Sequence, residues 1–221
     1  MLLLFDIDGT LVLRGSAEHA EAVHAALREV HGIDPTRAQI EAAGRTDADI
    51  ARQILAAEGV PPERIEAEAQ RVFAAVADRY DELCPDDLRH LVAPGVPEVL
   101  AALEREHRLT LVTGNLERVA HRKLGAAGIG HHFARGQGGF GSDHEDRRRL
   151  PAIARERAGG VPPHEAVVIG DTPRDIACAR ADGCHVIGIT TGPYDADALR
   201  DADLVVDRAA DLPAAIARLG S

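Results

Sequence analysis

The stretch Leu2-Leu3-Leu4-Phe5-Asp6-Ile7-Asp8-Gly9-Thr10 decides the fold. Its apolar residues run without alternation and end on two carboxylates. A continuous apolar run suits a strand buried on both faces, as in a parallel sheet covered by helices. Similar runs recur at 109–112, 166–169, 186–189 and 204–206. Between them lie Ala-rich stretches of helical period at 98–106, 117–127, 150–158 and 175–181. Strand-helix alternation of this kind predicts an α/β fold with a doubly wound parallel sheet. Right-handed crossovers then bring every strand C-terminus to one edge, and ligands of such sheets bind outside that edge.

Residues 16–90 break the alternation. They hold Ala/Glu/Arg-rich segments at 17–30, 47–58 and 63–82, without a strand pattern; Pro61-Pro62 separates two of them and Pro85 ends the last. We read an inserted helical domain of three or four helices over 14–90, in a core made of 1–13 and 91–221. The crossings at 14–16 and 90–95, with Gly15 and Pro94, are the expected hinges.

Composition narrows the function. The chain has 221 residues, 25 Lys plus Arg and 36 Asp plus Glu, hence a net charge of −11. That balance argues against a general nucleic-acid binder, and 3% aromatic residues argue against a base-stacking surface. Cys84, Cys178 and Cys184 form no CxxC pair, so neither a disulfide framework nor a zinc knuckle is expected. The start lacks a basic leader and no apolar run has membrane-spanning length, which predicts a cytoplasmic location and no membrane partner. Lys123 is the only lysine.

Four places carry chemistry. Asp6 and Asp8 leave a buried strand together. Close carboxylates repel, and a cation lets one act as nucleophile while the other handles a proton. Gly9 permits the turn and Thr10 can hold it. A second strand ends at Thr113-Gly114-Asn115, whose hydroxyl and backbone N–H groups can bind phosphate oxygens, though Thr and Asn there also suit an ordinary helix cap. A third, Gly170-Asp171-Thr172-Pro173-Arg174-Asp175, again ends a strand on an acid. Such an oxygen-rich site suits Mg²⁺. Lys123 follows Thr113 on the next helix, close enough to reach back to the sheet edge.

In this order the motifs resemble the haloacid dehalogenase-like (HAD) hydrolases, whose core is Rossmann-like, over the whole chain. The insert between the first and second motifs resembles the helical cap of the C1 subclass. Gly44-Arg45-Thr46-Asp47 is similar to the cap loop of phosphoglycolate phosphatase-like members. The resemblance implies Asp6 as the nucleophile that forms an aspartyl-phosphate, Asp8 as general acid/base and Thr113 as the phosphate-binding hydroxyl. It also implies a Mg²⁺ held by Asp171, Asp6 and the Asp8 carbonyl, with Asp175 a further ligand or supporting acid. Arg45, Thr46 and Asp47 are the candidate substrate contacts of the cap, Arg45 through a substrate carboxylate. One departure stands out. Many members carry the active-site lysine shortly before the next motif, where this chain reads Ser142-Asp143-His144-Glu145-Asp146-Arg147-Arg148-Arg149. Lys123 fits a variant that supplies it from the helix after Thr113, and Arg147 is the substitute.

The implied activity is a Mg²⁺-dependent phosphatase of a small phosphorylated metabolite: phosphoglycolate-like, a sugar phosphate or a nucleoside monophosphate. A β-phosphoglucomutase-like sugar phosphomutase and a non-catalytic binding module are the alternatives. Asp8 argues against a dehalogenase, and a cap without lysine argues against a phosphonatase. Gly136-Gln137-Gly138-Gly139-Phe140-Gly141 is literally GxGxxG, but a charged run follows where a dinucleotide motif needs a helix. The eleven histidines, His131-His132 among them, lack ligand spacing and read as surface groups.

Overall fold

The structure is a computed structural model that describes residues 1–35 and 40–220; residues 36–39 of the insert lie outside the described part. Six strands form one sheet: β1 (Leu2–Phe5), β2 (Arg108–Thr113), β3 (Gly139–Phe140), β4 (Ala166–Gly170), β5 (His185–Ile189) and β6 (Leu204–Val206). Their order is β3-β2-β1-β4-β5-β6, and every pairing is parallel. The α/β reading holds, and so does each of the apolar runs as a strand.

β1 lies between β2 and β4, with Phe5 opposite Leu111 on one side and Ile169 on the other. This register carries Asp6, Thr113 and Asp171 to the same edge. Alternate residues of the strands face opposite layers. Leu3, Phe5, Leu111 and Ile169 pack with α4 (Val96–Leu103), α5 (Glu117–Ala126) and α8 (Leu212–Leu219). Leu2, Leu4, Val112 and Val168 pack with α6 (Leu150–Arg157) and α7 (Pro173–Asp182). Burial on both faces explains the unalternating runs. Truncating Leu3 or Leu4 to Ala in so closed a core costs about 2–5 kcal/mol.

The edge strand β3 arises inside the glycine stretch 136–141. Its glycines serve close backbone approach: a Cβ at Gly139 or Gly141 would run into the carbonyls of Leu150 and Gly114. No helix follows directly, since α6 begins at Leu150.

The insert contributes α1 (Ala17–His31), α2 (Asp47–Ala57) and α3 (Pro62–Leu83). Ser16 and Thr46 cap the first two through their hydroxyls, and Pro62 opens the third. α1 and α3 pack through Ala22, Val23, Ala26 and Leu27 against Val72, Val76 and Tyr80. The two chain crossings run side by side: Leu13 N–H donates to Leu91 O at 2.9 Å and Ala93 N–H to Leu11 O at 3.0 Å. No helix among the described residues is long and apolar enough to cross a membrane. Cys84, Cys178 and Cys184 are free and buried.

Candidate active site

The turn after β1 is built around its acids. Asp6 is 3% exposed and its N–H donates to Ile169 O at 2.9 Å, which fixes it at the strand end. Gly9 has φ +92°, a left-handed conformation that lets the chain double back, and its N–H meets Val12 O at 2.6 Å. A Cβ on Gly9 or on Gly192 would collide with the Asp171 carboxylate, so both glycines make room for that acid. Thr10 donates its hydroxyl to Asp171 Oδ1 at 3.0 Å, and Thr191 donates to Gly9 O at 2.6 Å.

Two buried cations serve the two acids of the first motif separately. Lys123 Nζ lies 2.8 and 2.7 Å from the Asp8 oxygens and donates to Asn115 Oδ1 at 2.8 Å. Asn115 Nδ2 donates to Asp8 Oδ2 at 2.9 Å, closing a triangle. Burial pushes the Asp8 carboxyl up, but the Lys123 charge and these hydrogen bonds outweigh it and hold Asp8 below the ordinary range. Arg147 reaches Asp6 instead, with Nη2 2.9 Å from Oδ1, and bridges it to Asp175 at 2.5 Å. The sequence offered Lys123 or Arg147 for one role. The structure brings both to the site, Lys123 on Asp8 and Arg147 on Asp6. Lys123 comes from α5, between β2 and β3, and Arg147 from the turn between β3 and α6, so each serves its own acid.

Asp6, Asp171 and Asp175 each offer an oxygen within 4.8 Å of the others, all buried. Burial and mutual repulsion push Asp171 up to about 8. Burial raises Asp6 to about 6 despite Arg147. Three buried carboxyl groups share the single charge of Arg147, and their all-oxygen donor set fits a hard divalent ion such as Mg²⁺. Asp8 and Asp175, both expected at the ion, already have side-chain partners. The Asp8 side chain turns away to Lys123 and Asn115, which leaves only its carbonyl for a metal. Both oxygens of Asp175 have partners: Oδ1 takes Arg147, and Oδ2 accepts the Thr172 hydroxyl at 2.7 Å and the Thr172 N–H at 3.0 Å. That reciprocal pair is the capping box of α7, and it fixes Asp175 beside Asp6 and Asp171. Gly170 is the room for it, since a Cβ there would overlap its carboxyl group.

Thr113 is wholly buried and its hydroxyl accepts the Asn115 N–H at 3.3 Å. The alternative of Thr113 and Asn115 as a plain helix cap does not hold: α5 has Leu116 at its N-cap and no side-chain cap bond. Gly114 admits the insert, because a Cβ there would strike Arg45 O.

The Gly44–Asp47 loop meets the core at this point. Asp47 N–H donates to Gly114 O at 2.8 Å, and Asp47 Oδ2 accepts the Leu116 N–H at 2.8 Å. The same oxygen lies 3.1 Å from His19 Nε2, while His19 Nδ1 lies 3.5 Å from Lys123 Nζ. His19 was missed among the histidines read as surface groups. Its signal was its place on the stripe His19, Ala22, Val23, Ala26 that α1 buries. Thr46 caps α2 and donates to Glu145 O at 2.7 Å, so it braces the loop. Arg45 is tied to Asp49 at 2.7 Å and to Glu41 O at 2.9 Å. His132 pairs with Glu104 at 2.6 Å, away from the site.

A cavity of about 1080 Å³ opens over the strand ends, lined by Asp6, Asp8, Gly114, Asn115, Arg147 and Asp171 below and by residues of α1, α2 and the 40–47 loop above.

The haloacid dehalogenase-like hydrolase profile matches residues 3–180. A phosphoglycolate phosphatase of Chromobacterium violaceum is 31% identical over 215 residues, covering 94% of this chain and 92% of that protein. Among solved structures, a hydrolase from Pseudomonas syringae superposes with TM-score 0.68 at 22% identity over 99% of this chain and 98% of that one. A β-phosphoglucomutase from Clostridium difficile does so with TM-score 0.64 at 16% identity, over 96% and 92%. The structural likenesses speak for the fold alone; the profile and the sequence relative, joined to paired acids, a buried oxygen cluster and buried cations at one sheet edge, make this chain a member of the haloacid dehalogenase-like hydrolases.

Proposed function

We propose that the protein is a Mg²⁺-dependent phosphatase that hydrolyses a phosphoric monoester of a small metabolite through an aspartyl-phosphate on Asp6. The observation that carries this is the division of labour between the two acids. Asp6 sits among acids that call for a cation, whereas Asp8 is held by Lys123 and Asn115.

In this reading Asp6 and Asp171, with the Asp8 carbonyl, hold the ion, and Asp175 positions Arg147. The ion supplies charge neutralisation for the phosphoryl group. Asp6 attacks phosphorus in line, and the bond to the leaving oxygen breaks. Asp8 delivers a proton to that oxygen. A phosphate dianion entering beside Lys123 competes for the lysine and so favours the protonated form of Asp8. In the second half Asp8, again held ionised by Lys123, takes a proton from water, which attacks the phosphoryl group and frees Asp6. The Thr113 hydroxyl and the N–H groups of Gly114 and Asn115 orient phosphate oxygens. Arg147 keeps the Asp6 carboxylate aimed.

Residues 14–90 act as a cap over the core formed by 1–13 and 91–221, and its docking through Asp47 excludes water from the reacting groups. Phosphoglycolate, sugar phosphates and nucleoside monophosphates are the first esters to try, the Chromobacterium relative being named for the first of them. The test is phosphate release with Mg²⁺ from such a panel by wild type and Asp6→Asn. Wild-type turnover lost in the variant supports the reading, and equal rates overturn it. Isomerised sugar phosphate with little free phosphate would favour the phosphomutase instead.

A further inference from the structure

The wall of the cavity opposite the acids differs from the floor. Leu13, Ala20, Val23, Ile40, Ile50 and Ile54 line it, from the first crossing, α1, the 40–47 loop and α2. Leu13 is one of only two large apolar side chains left exposed among the described residues, at 40%. Val23 and Ile54 are packed in the core, so the open part of the wall is Leu13, Ala20, Ile40 and Ile50, an aliphatic surface that suits an apolar ligand.

The polar side chains of this wall offer a small acid little grip. Arg45, the residue expected to take a substrate carboxylate, is engaged by Asp49 and by Glu41 O. His19 is engaged by Asp47. Of the arginines lining the cavity, Arg147 belongs to Asp6 and Asp175, which leaves Arg14, exposed beside Leu13. A two-carbon acid phosphate placed with its phosphorus against Asp6 fills a small part of about 1080 Å³ and leaves the aliphatic wall wet.

We propose that the leaving alcohol of the natural substrate carries a hydrocarbon body that packs on this wall. The inference rests on the phosphatase reading and narrows its substrate class. Binding that body removes apolar surface from water, and the gain is realised only once the phosphoryl group is seated at the strand ends.

The test is a series of methyl, butyl and hexyl phosphate, with phosphoglycolate beside it, all with Mg²⁺ and phosphate release as readout. The expectation is that kcat/KM rises by roughly two- to fourfold per methylene, as burial of a CH₂ group gives, so that hexyl phosphate exceeds both methyl phosphate and phosphoglycolate. Leu13→Ser and Ile50→Ser should flatten that slope. Leu13 is exposed enough that its variant keeps the wild-type melting temperature. A flat series, or phosphoglycolate ahead of hexyl phosphate, overturns the inference. Failure of the phosphatase reading looks different: no ester, of any length, releases phosphate, and both proposals fall.

Discussion

The floor and the wall of the cavity are built on opposite principles. On the floor, at the carboxyl ends of β1, β2 and β4, buried charges touch each other: Lys123 on Asp8, Arg147 between Asp6 and Asp175, Thr10 on Asp171. On the wall, the helical insert presents aliphatic side chains, and its Arg45 and His19 are engaged by the neighbouring Asp49 and Asp47. Buried charge is costly unless paired, so it is kept where chemistry needs it. Apolar surface discriminates weakly per methylene but over a large area, which suits selection. Under the proposed reading the roles separate: the core performs the reaction and the insert chooses the alcohol.

Several variants can break that separation or make it sharper. Asp6→Asn keeps the shape and the hydrogen bond to Arg147 but loses the nucleophile; phosphate release from every ester should fall by about 10³-fold or more. Chelation of divalent metal should abolish release equally from every ester, and added Mg²⁺ should restore it, because the ion belongs to the floor. Lys123→Met keeps the volume and removes the charge that orders Asp8. It should lower kcat by roughly 100-fold for short and long esters alike, as loss of one preorganised electrostatic partner does. An effect confined to long esters would place Lys123 with the wall instead. His19→Ala removes one partner of Asp47 at the junction of the two regions; KM should rise about tenfold, the scale of one hydrogen bond to a charged group, with kcat changed less. Thr172→Ala opens the capping box of α7 and should cost about 1 kcal/mol of stability in urea unfolding.

The floor was far more legible in the sequence than the wall. Asp6 and Asp171 each directly follow a strand that is an apolar run, with Asp8 two and Asp175 four residues further on, so a local pattern placed all four at or just past strand ends. Parallel registry then brought the ends together. Lys123 was legible through its uniqueness. Arg147 stood in a run of three arginines, and nothing local distinguishes the one that turns inward toward Asp6 from its exposed neighbours. The two-residue strand β3 was hidden because its glycines serve contacts with Leu150 and Gly114 that lie outside its own segment. The wall is assembled from residues spread between Leu13 and Ile54 with no common spacing, so its apolar character belongs to packing alone. Arg45 shows the same limit. Its type suggested a carboxylate clamp, while its ion pair with Asp49, four residues on, was not legible in that type alone.

The central claim is that Asp6 carries the phosphoryl group. Acid quenching during turnover of a radiolabelled monoester with Mg²⁺, followed by peptide mapping, tests it most directly. The account predicts label on the peptide holding Asp6 in the wild type and none in Asp6→Asn. Turnover without a labelled enzyme, or label on another residue, would contradict it.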